Sequence, residues 1–171
     1  MTISKVAAVL GNDVSTDVIF PGRFMATVLP TETPQYAFAD NVELNTRLKK
    51  KEIPPGSVIV GGTNFGCGSS REQAVSTIKG YDLVIVAKGF ARIFLQNSIN
   101  LGLNTVVCPG IDATEGDELD ILSDRIVNKR TGKLFPIETL PKARQAIVDA
   151  GGLIPYTRKR LLERSRGVRV E

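Results

Sequence analysis

The stretch "GTNFGCGSSREQA", residues 62–74, places three glycines, two adjacent serines and an Arg–Glu pair between an apolar run and a helical pattern. A strand, a glycine-rich loop and then a helix is a layout that aims backbone N–H groups at an anion, with the positive end of the helix dipole behind them. Gly66 and Gly68 allow torsions and close approach that side-chained residues resist. Ser69 and Ser70 add hydroxyls, and Arg71 adds a planar donor fork suited to a carboxylate. Together they favour a carboxylate or phosphate ligand. Ser69 with Glu72, or Ser70 with Gln73, also matches the S-x-x-E/Q capping box that simply starts a helix well. Capping needs one serine, however, and accounts for neither the three glycines nor the arginine.

Working outward, "IPPGSVIVGG" in front of this loop predicts a turn entering a buried strand at 57–62, and behind it Ala74, Val75 and Ile78 recur at helical spacing until Gly80 offers a stop. A second buried strand is expected in "YDLVIVAKG" (81–89), a second helix in "FARIFLQNSINLG" (90–102) and a third strand in "NTVVCPG" (104–110). This β-α-β-α-β order predicts a parallel or mostly parallel layer with helices packed on it. Further out, "SKVAAVL" (4–10) reads as a strand, "VSTDVIFPGRF" (14–24) as a turn, and residues 21–36 as a mobile surface loop too broken by proline for a regular element. Residues 36–51 have helical composition, and from 116 onward short β-prone runs between turn signals predict two or three antiparallel strands. Helical segments at 140–152, with Pro141 near the first turn, and at 156–165 close the chain.

At 171 residues, 42% of them apolar and 23% charged, the chain is expected to form one domain over residues 1–171 rather than a disordered polymer. Residues 158–171 hold the whole net charge of +4, as part of a basic C-terminal tail over 155–171. That tail lacks any recognised nucleic-acid motif, so it is read as a solvated face or partner contact. No stretch approaches a membrane span, no secretory leader is visible, and Cys67 and Cys108 are too few for a disulfide framework; a soluble cytoplasmic protein is expected. Without a single histidine, the chain cannot by itself assemble a Ser–His or Cys–His nucleophile. "GCGSSR" lacks the third glycine of a dinucleotide fingerprint, and no G-K-[ST] follows for a P-loop.

"NFGCGSSREQA" (64–74), "KGFARIFLQNSINLGL" (88–103), "DVSTDVIFPGRF" (13–24) and the closing "AGGLIPYTRKRLLERSRG" (150–167) occur in an order and spacing that resemble the small subunits of the isopropylmalate isomerase and homoaconitase type, equivalent to the swivel domain of aconitase. The resemblance implies an α/β fold, a swivelling β/β/α domain whose mixed sheet closes towards a barrel with flanking helices. It also implies a hydro-lyase that dehydrates and rehydrates a hydroxy di- or tricarboxylate. The 4Fe–4S cluster of such an enzyme is expected on a separate large subunit, in a heterodimer or heterotetramer, with no cofactor or metal held by this chain. Two isolated cysteines agree with that division, because cubane ligation takes several at close spacing. Self-association of this chain is compatible with the same picture; nucleic acid and membrane are not expected partners.

By the same resemblance Ser69 matches the serine that takes the proton, and Ser70, Arg71 and Gly68 match the substrate cradle. Thr16, Asp17, Asn64, Cys67 and Arg92 are supporting positions. Thr16 and Asp17 equally suit a turn in a connecting loop, Cys67 a small packing residue, and Arg92 a structural arginine paired with an acid. Relatives of the archaeal isopropylmalate type often carry Tyr-Leu-Arg-Thr after "PG", whereas this chain reads Phe24-Met25-Ala26-Thr27. Alanine at the arginine's place makes the loop more apolar and favours isopropylmalate, with Arg23 two residues before Met25 as a compensating cation. Homocitrate-type tricarboxylates and methylated malates such as citramalate or dimethylmalate remain the alternatives. Outside catalysis, the competing classes are an organic-anion-binding module and, from the basic tail, an RNA-binding protein.

Overall fold

The computed structural model describes residues 2–165. Its centre is built from two runs of β-branched residues, β2 (Val58–Gly61) and β3 (Val84–Ala87), buried almost throughout. That pattern belongs to strands covered on both faces. Alternation sorts the side chains: Val58, Val60 and Val86 join one core, while Ile59, Ile85 and Ala87 join another. β1 (Thr2–Val9) runs parallel to β2, β2 to β3, and β3 to β4 (Thr105–Val107). With α3 (Glu72–Lys79) and α4 (Arg92–Leu101) as the crossovers, the parallel layer matches the sequence expectation. Gly102 ends α4 in the left-handed conformation at φ 71°, which a Cβ would penalise.

On the other edge of β1 the sheet becomes antiparallel through β5 (Glu118–Ile121), β6 (Arg125–Asn128) and β7 (Leu134–Pro136). The order is β4-β3-β2-β1-β5-β6-β7, and the two ends approach each other. Glu138 N–H donates to the Val107 carbonyl at 2.8 Å, and the Cys108 thiol reaches the Pro136 carbonyl at 3.4 Å. The seven strands therefore curl towards a barrel, its interior filled by valines of β1–β3 together with Leu119, Ile126 and Phe135. Outside the parallel half, Phe20, Phe38, Phe65, Ile78 and Phe94 form the second core beneath the helices. Full burial of each such side chain contributes about 1.5–3 kcal/mol.

Several segments depart from their expected form. The helix expected over 36–51 starts only at α2 (Val42–Lys49), because Phe38 sits at φ 51°, a left-handed conformation through which a helix cannot run; Asn41 instead caps Leu44 N–H. "STDVIF", expected as a turn, holds a one-turn helix, α1 (Thr16–Ile19), started by the Ser15 hydroxyl accepting from Val18 N–H at 3.2 Å. Within 21–36, two 3-10 turns form at Gly22–Phe24 and Thr33–Tyr36. The second is anchored: Thr33 is buried, and its carbonyl accepts from the Thr77 hydroxyl at 2.7 Å. α5 (Lys142–Asp149) and α6 (Leu153–Ser165) follow, α6 beginning before the expected residue 156. Arg158, Lys159, Arg160 and Arg164 are exposed on α6; Arg166, Arg169 and Glu171 of the basic tail lie outside the described residues. Among the described residues, no helix is long and apolar enough to cross a membrane.

Candidate functional site

The segments that follow β1 and β2 are laced together. Gly66 N–H donates to the Val14 carbonyl and Thr16 N–H to the Cys67 carbonyl, each at 2.7 Å. Gly66 has φ 81°, and a Cβ there would stand 2.1 Å from Phe94 Cγ, so both torsion and space require glycine. Phe65, Phe90 and Phe94 pack with ring centroids 5.5 to 6.2 Å apart beneath the loop. This trio packs "NFG" and "FARIF" against each other. Gly68, at φ 94°, then lifts the chain so that Ser69 and Ser70 are exposed.

Neither serine starts α3. Arg71 is the N-cap, without a side-chain capping bond, so the capping-box alternative does not hold. Ser69 is tied instead to buried Thr16: its N–H donates to Thr16 Oγ1 at 3.2 Å, and the two hydroxyl oxygens also lie 3.2 Å apart. Because Thr16 Oγ1 already accepts from that amide, its own proton is free to point at Ser69 Oγ or at the Ser69 carbonyl, 3.3 Å away. Asn97 Nδ2 donates to the Ser70 carbonyl at 3.2 Å, fixing the loop from α4.

The Arg71 side chain is only 15% exposed and lies against Asp17, which is 58% exposed. Nη1 bonds Asp17 Oδ1 and donates to the Phe20 carbonyl at 3.2 Å. Gly22 N–H adds a 3.2 Å bond to the same carboxylate oxygen. The Arg71 guanidinium, helped by this amide, holds the Asp17 carboxyl below the usual carboxylate range. Arg71 Nε is buried with no partner among the described residues. Nη2, which makes no hydrogen bond among the described residues and is not sealed as Nε is, is the donor that an incoming carboxylate can reach.

The remaining expected residues take varied places. Asn64 donates to Asp13 Oδ1 at 2.8 Å and the half-buried Cys67 thiol to the Asp13 carbonyl at 3.4 Å, so both tie the loop down. Arg92 is exposed at the start of α4 and makes no ion pair among the described residues, unlike the paired arginine expected. Arg23 pairs with Asp40, Phe24 stacks on Tyr36 at 4.1 Å, and Ala26 is exposed. Asn97, the Phe20 carbonyl and Asp40, which contact Ser70, Arg71 and Arg23, carry no signal in sequence that marks them as partners of those residues.

No group of three or more His, Cys, Asp or Glu among the described residues could hold a metal ion. Cys67 sits in the serine loop and Cys108 inside the barrel, where burial pushes its thiol up to about 11. These donors do not fit an iron–sulfur cluster.

Residues 13–109, which contain the whole of this constellation, match the aconitase C-terminal domain family. An isopropylmalate/citramalate isomerase small subunit of Methanocaldococcus jannaschii is 41% identical over 90% of this chain and 92% of its own length. A methanogen homoaconitase small subunit of the same organism is 40% identical over 99% of both chains. A 3-isopropylmalate dehydratase small subunit of Methanosarcina mazei is 40% identical over 90% of this chain and 95% of its own. The crystal structure of a 3-isopropylmalate dehydratase from Methanocaldococcus jannaschii superposes with a TM-score of 0.84 at 39% identity, covering 97% of this chain and 99% of that one.

Proposed function

The chain belongs to the aconitase C-terminal domain family, and from that premise we propose that it is the small subunit of a two-subunit hydro-lyase that interconverts 2- and 3-isopropylmalate by dehydration and rehydration, in leucine biosynthesis. The observation that carries this proposal is the exposed Ser69–Ser70 pair beside a guanidinium with unused donors. Such an open polar cluster suits a ligand and a second protein surface better than it suits a fold.

In this proposal Arg71 binds a substrate carboxylate through the donors that Asp17 and Phe20 leave free, and Asp17 fixes its orientation. Ser69 Oγ takes the proton from the substrate carbon, and Ser70 and Gly68 line the cradle. A serine hydroxyl is far too weak an acid to ionise unaided at neutral pH. The positive field of Arg71, the start of α3 and a hydrogen bond that the Thr16 hydroxyl can turn from the Ser69 carbonyl to Ser69 Oγ favour its ionised form. Departure of the hydroxyl is assigned to a larger partner subunit, whose 4Fe–4S cluster supplies Lewis acidity when bound. A cytoplasmic heterodimer or heterotetramer fits these roles.

Phe24, Met25 and Ala26 give the loop an apolar character that suits an isopropyl group. The likeness to a homoaconitase small subunit over almost the full length favours a second substrate class, the homocitrate-type tricarboxylates. Assay of the anaerobically assembled pair on isopropylmalate, citramalate, dimethylmalate and homocitrate decides between them. The proposal expects isopropylmalate to have the highest kcat/KM; a preference for the tricarboxylate overturns the substrate assignment.

A further inference from the structure

Arg23 stands at the border of the site with its charge turned elsewhere. A Cβ placed on Gly22 would lie 3.3 Å from Arg71 Nη2 and 3.3 Å from Asp17 Oδ1, so the backbone touching the carboxylate-binding arginine is the residue just before Arg23. Consecutive Cα atoms are about 3.8 Å apart, which puts the long Arg23 side chain within reach of the same space. It points instead to Asp40, with Nη1 donating to Oδ2 at 3.1 Å and Nη2 to Oδ1 at 2.5 Å. The guanidinium also lies 4.6 Å over the Phe24 ring, which stacks on Tyr36 and meets Phe20 edge-on. Asp40 is itself held in a built turn, between buried Phe38 and the Asn41 cap of α2.

We propose that Asp40 is a positioning residue for substrate choice: it holds Arg23 away from Arg71 and so keeps the reaction on acids whose third arm is apolar. This rests on the function proposed above. Isopropylmalate carries two carboxylates and an isopropyl arm, whereas a tricarboxylate presents a third carboxylate that a free arginine fork would bind. With Arg23 engaged by Asp40, that carboxylate meets the apolar Phe24 and Ala26 and finds no cation to pair with, which disfavours it. The latch is a solvent-exposed pair and so can be removed with little loss of stability.

The test uses the small chain assembled with its cluster-bearing partner, as wild type, Asp40→Asn, Arg23→Ala and the double variant. The quantity read is kcat/KM for homocitrate divided by kcat/KM for 2-isopropylmalate. Asp40→Asn is expected to raise this ratio about fivefold, with the thermal midpoint unchanged. The double variant is expected to return it to the Arg23→Ala value, because the gain depends on the freed arginine. An unmoved ratio in Asp40→Asn, or a rise that survives in the double variant, overturns the proposal. If the wild-type pair turns over neither acid, the proposed function fails; the latch is then read from equilibrium binding of the same two acids to the same four complexes, with the same fivefold shift expected and an unmoved ratio again overturning it.

Discussion

Asp117, on the antiparallel wing, and Arg71, on the parallel wing, are both charged side chains drawn out of water, and they are answered differently. Asp117, 2% exposed, accepts from Thr114 N–H at 3.0 Å, the Thr114 hydroxyl at 3.1 Å, Asn128 Nδ2 at 2.8 Å and Arg130 Nη2 at 3.0 Å, besides a bond from Arg130 Nε. Its lone pairs are used up inside the chain, and the cluster stitches β5, β6 and the preceding turn together. Arg71 keeps Nη2 without a hydrogen bond among the described residues, and the serines before it face outward. A closed polar network fixes a fold, while one left open has donors to give to something else. The same sheet thus carries one polar cluster closed on itself and one left open, which is the one the proposed function uses.

That contrast can be broken by substitution on either side. The largest effect is expected for Ser69→Ala, which should lower kcat of the assembled enzyme about 10³-fold while leaving the thermal midpoint of the small chain within about 1 °C. Arg71→Lys should come next, raising KM about tenfold and lowering kcat less, because an ammonium keeps the charge but loses the fork; steady-state kinetics on the pair checks it. Asp117→Asn should do the reverse of Ser69→Ala, lowering the melting midpoint by about 5 °C while turnover per assembled enzyme stays within about twofold. The smallest effect is on pH. Chiefly the Arg130 hydrogen bond, then the Thr114 amide, hold the Asp117 carboxyl well below the carboxylate range. A depressed folded-state pKa gives stability that is complete above the unfolded value of about 4 and is lost as pH falls below it. Melting curves from pH 6 to pH 2.5 should therefore show the wild type losing its advantage over Asp117→Asn in the acid range; a gap constant with pH would contradict the charge-based role.

What could be read beforehand divides along the same line. The parallel wing was legible because "VIV" twice, each followed by glycine and a helical pattern, leaves few other arrangements. Barrel closure was not derivable from the residues, since the Val107–Glu138 bridge joins short segments with no local signature; only the family resemblance implied it. Ser69, Ser70 and Arg71 advertise themselves by being adjacent. Their partners do not: Asp17 lies 54 positions from Arg71, Asn97 lies 27 from Ser70, and Asp40 lies 17 from Arg23. Periodicity carries no information over those separations. The late start of α2 has a local cause, the left-handed Phe38, a conformation that composition does not announce.

The central claim is that the open cluster of this chain is half of a site. It is tested most directly by measuring 2-isopropylmalate hydro-lyase activity, under anaerobic conditions, for this chain, for its cluster-bearing partner, and for the two together. Activity confined to the mixture, saturating at a fixed stoichiometry of the two chains, is the predicted result. Equal activity from the partner alone would contradict it.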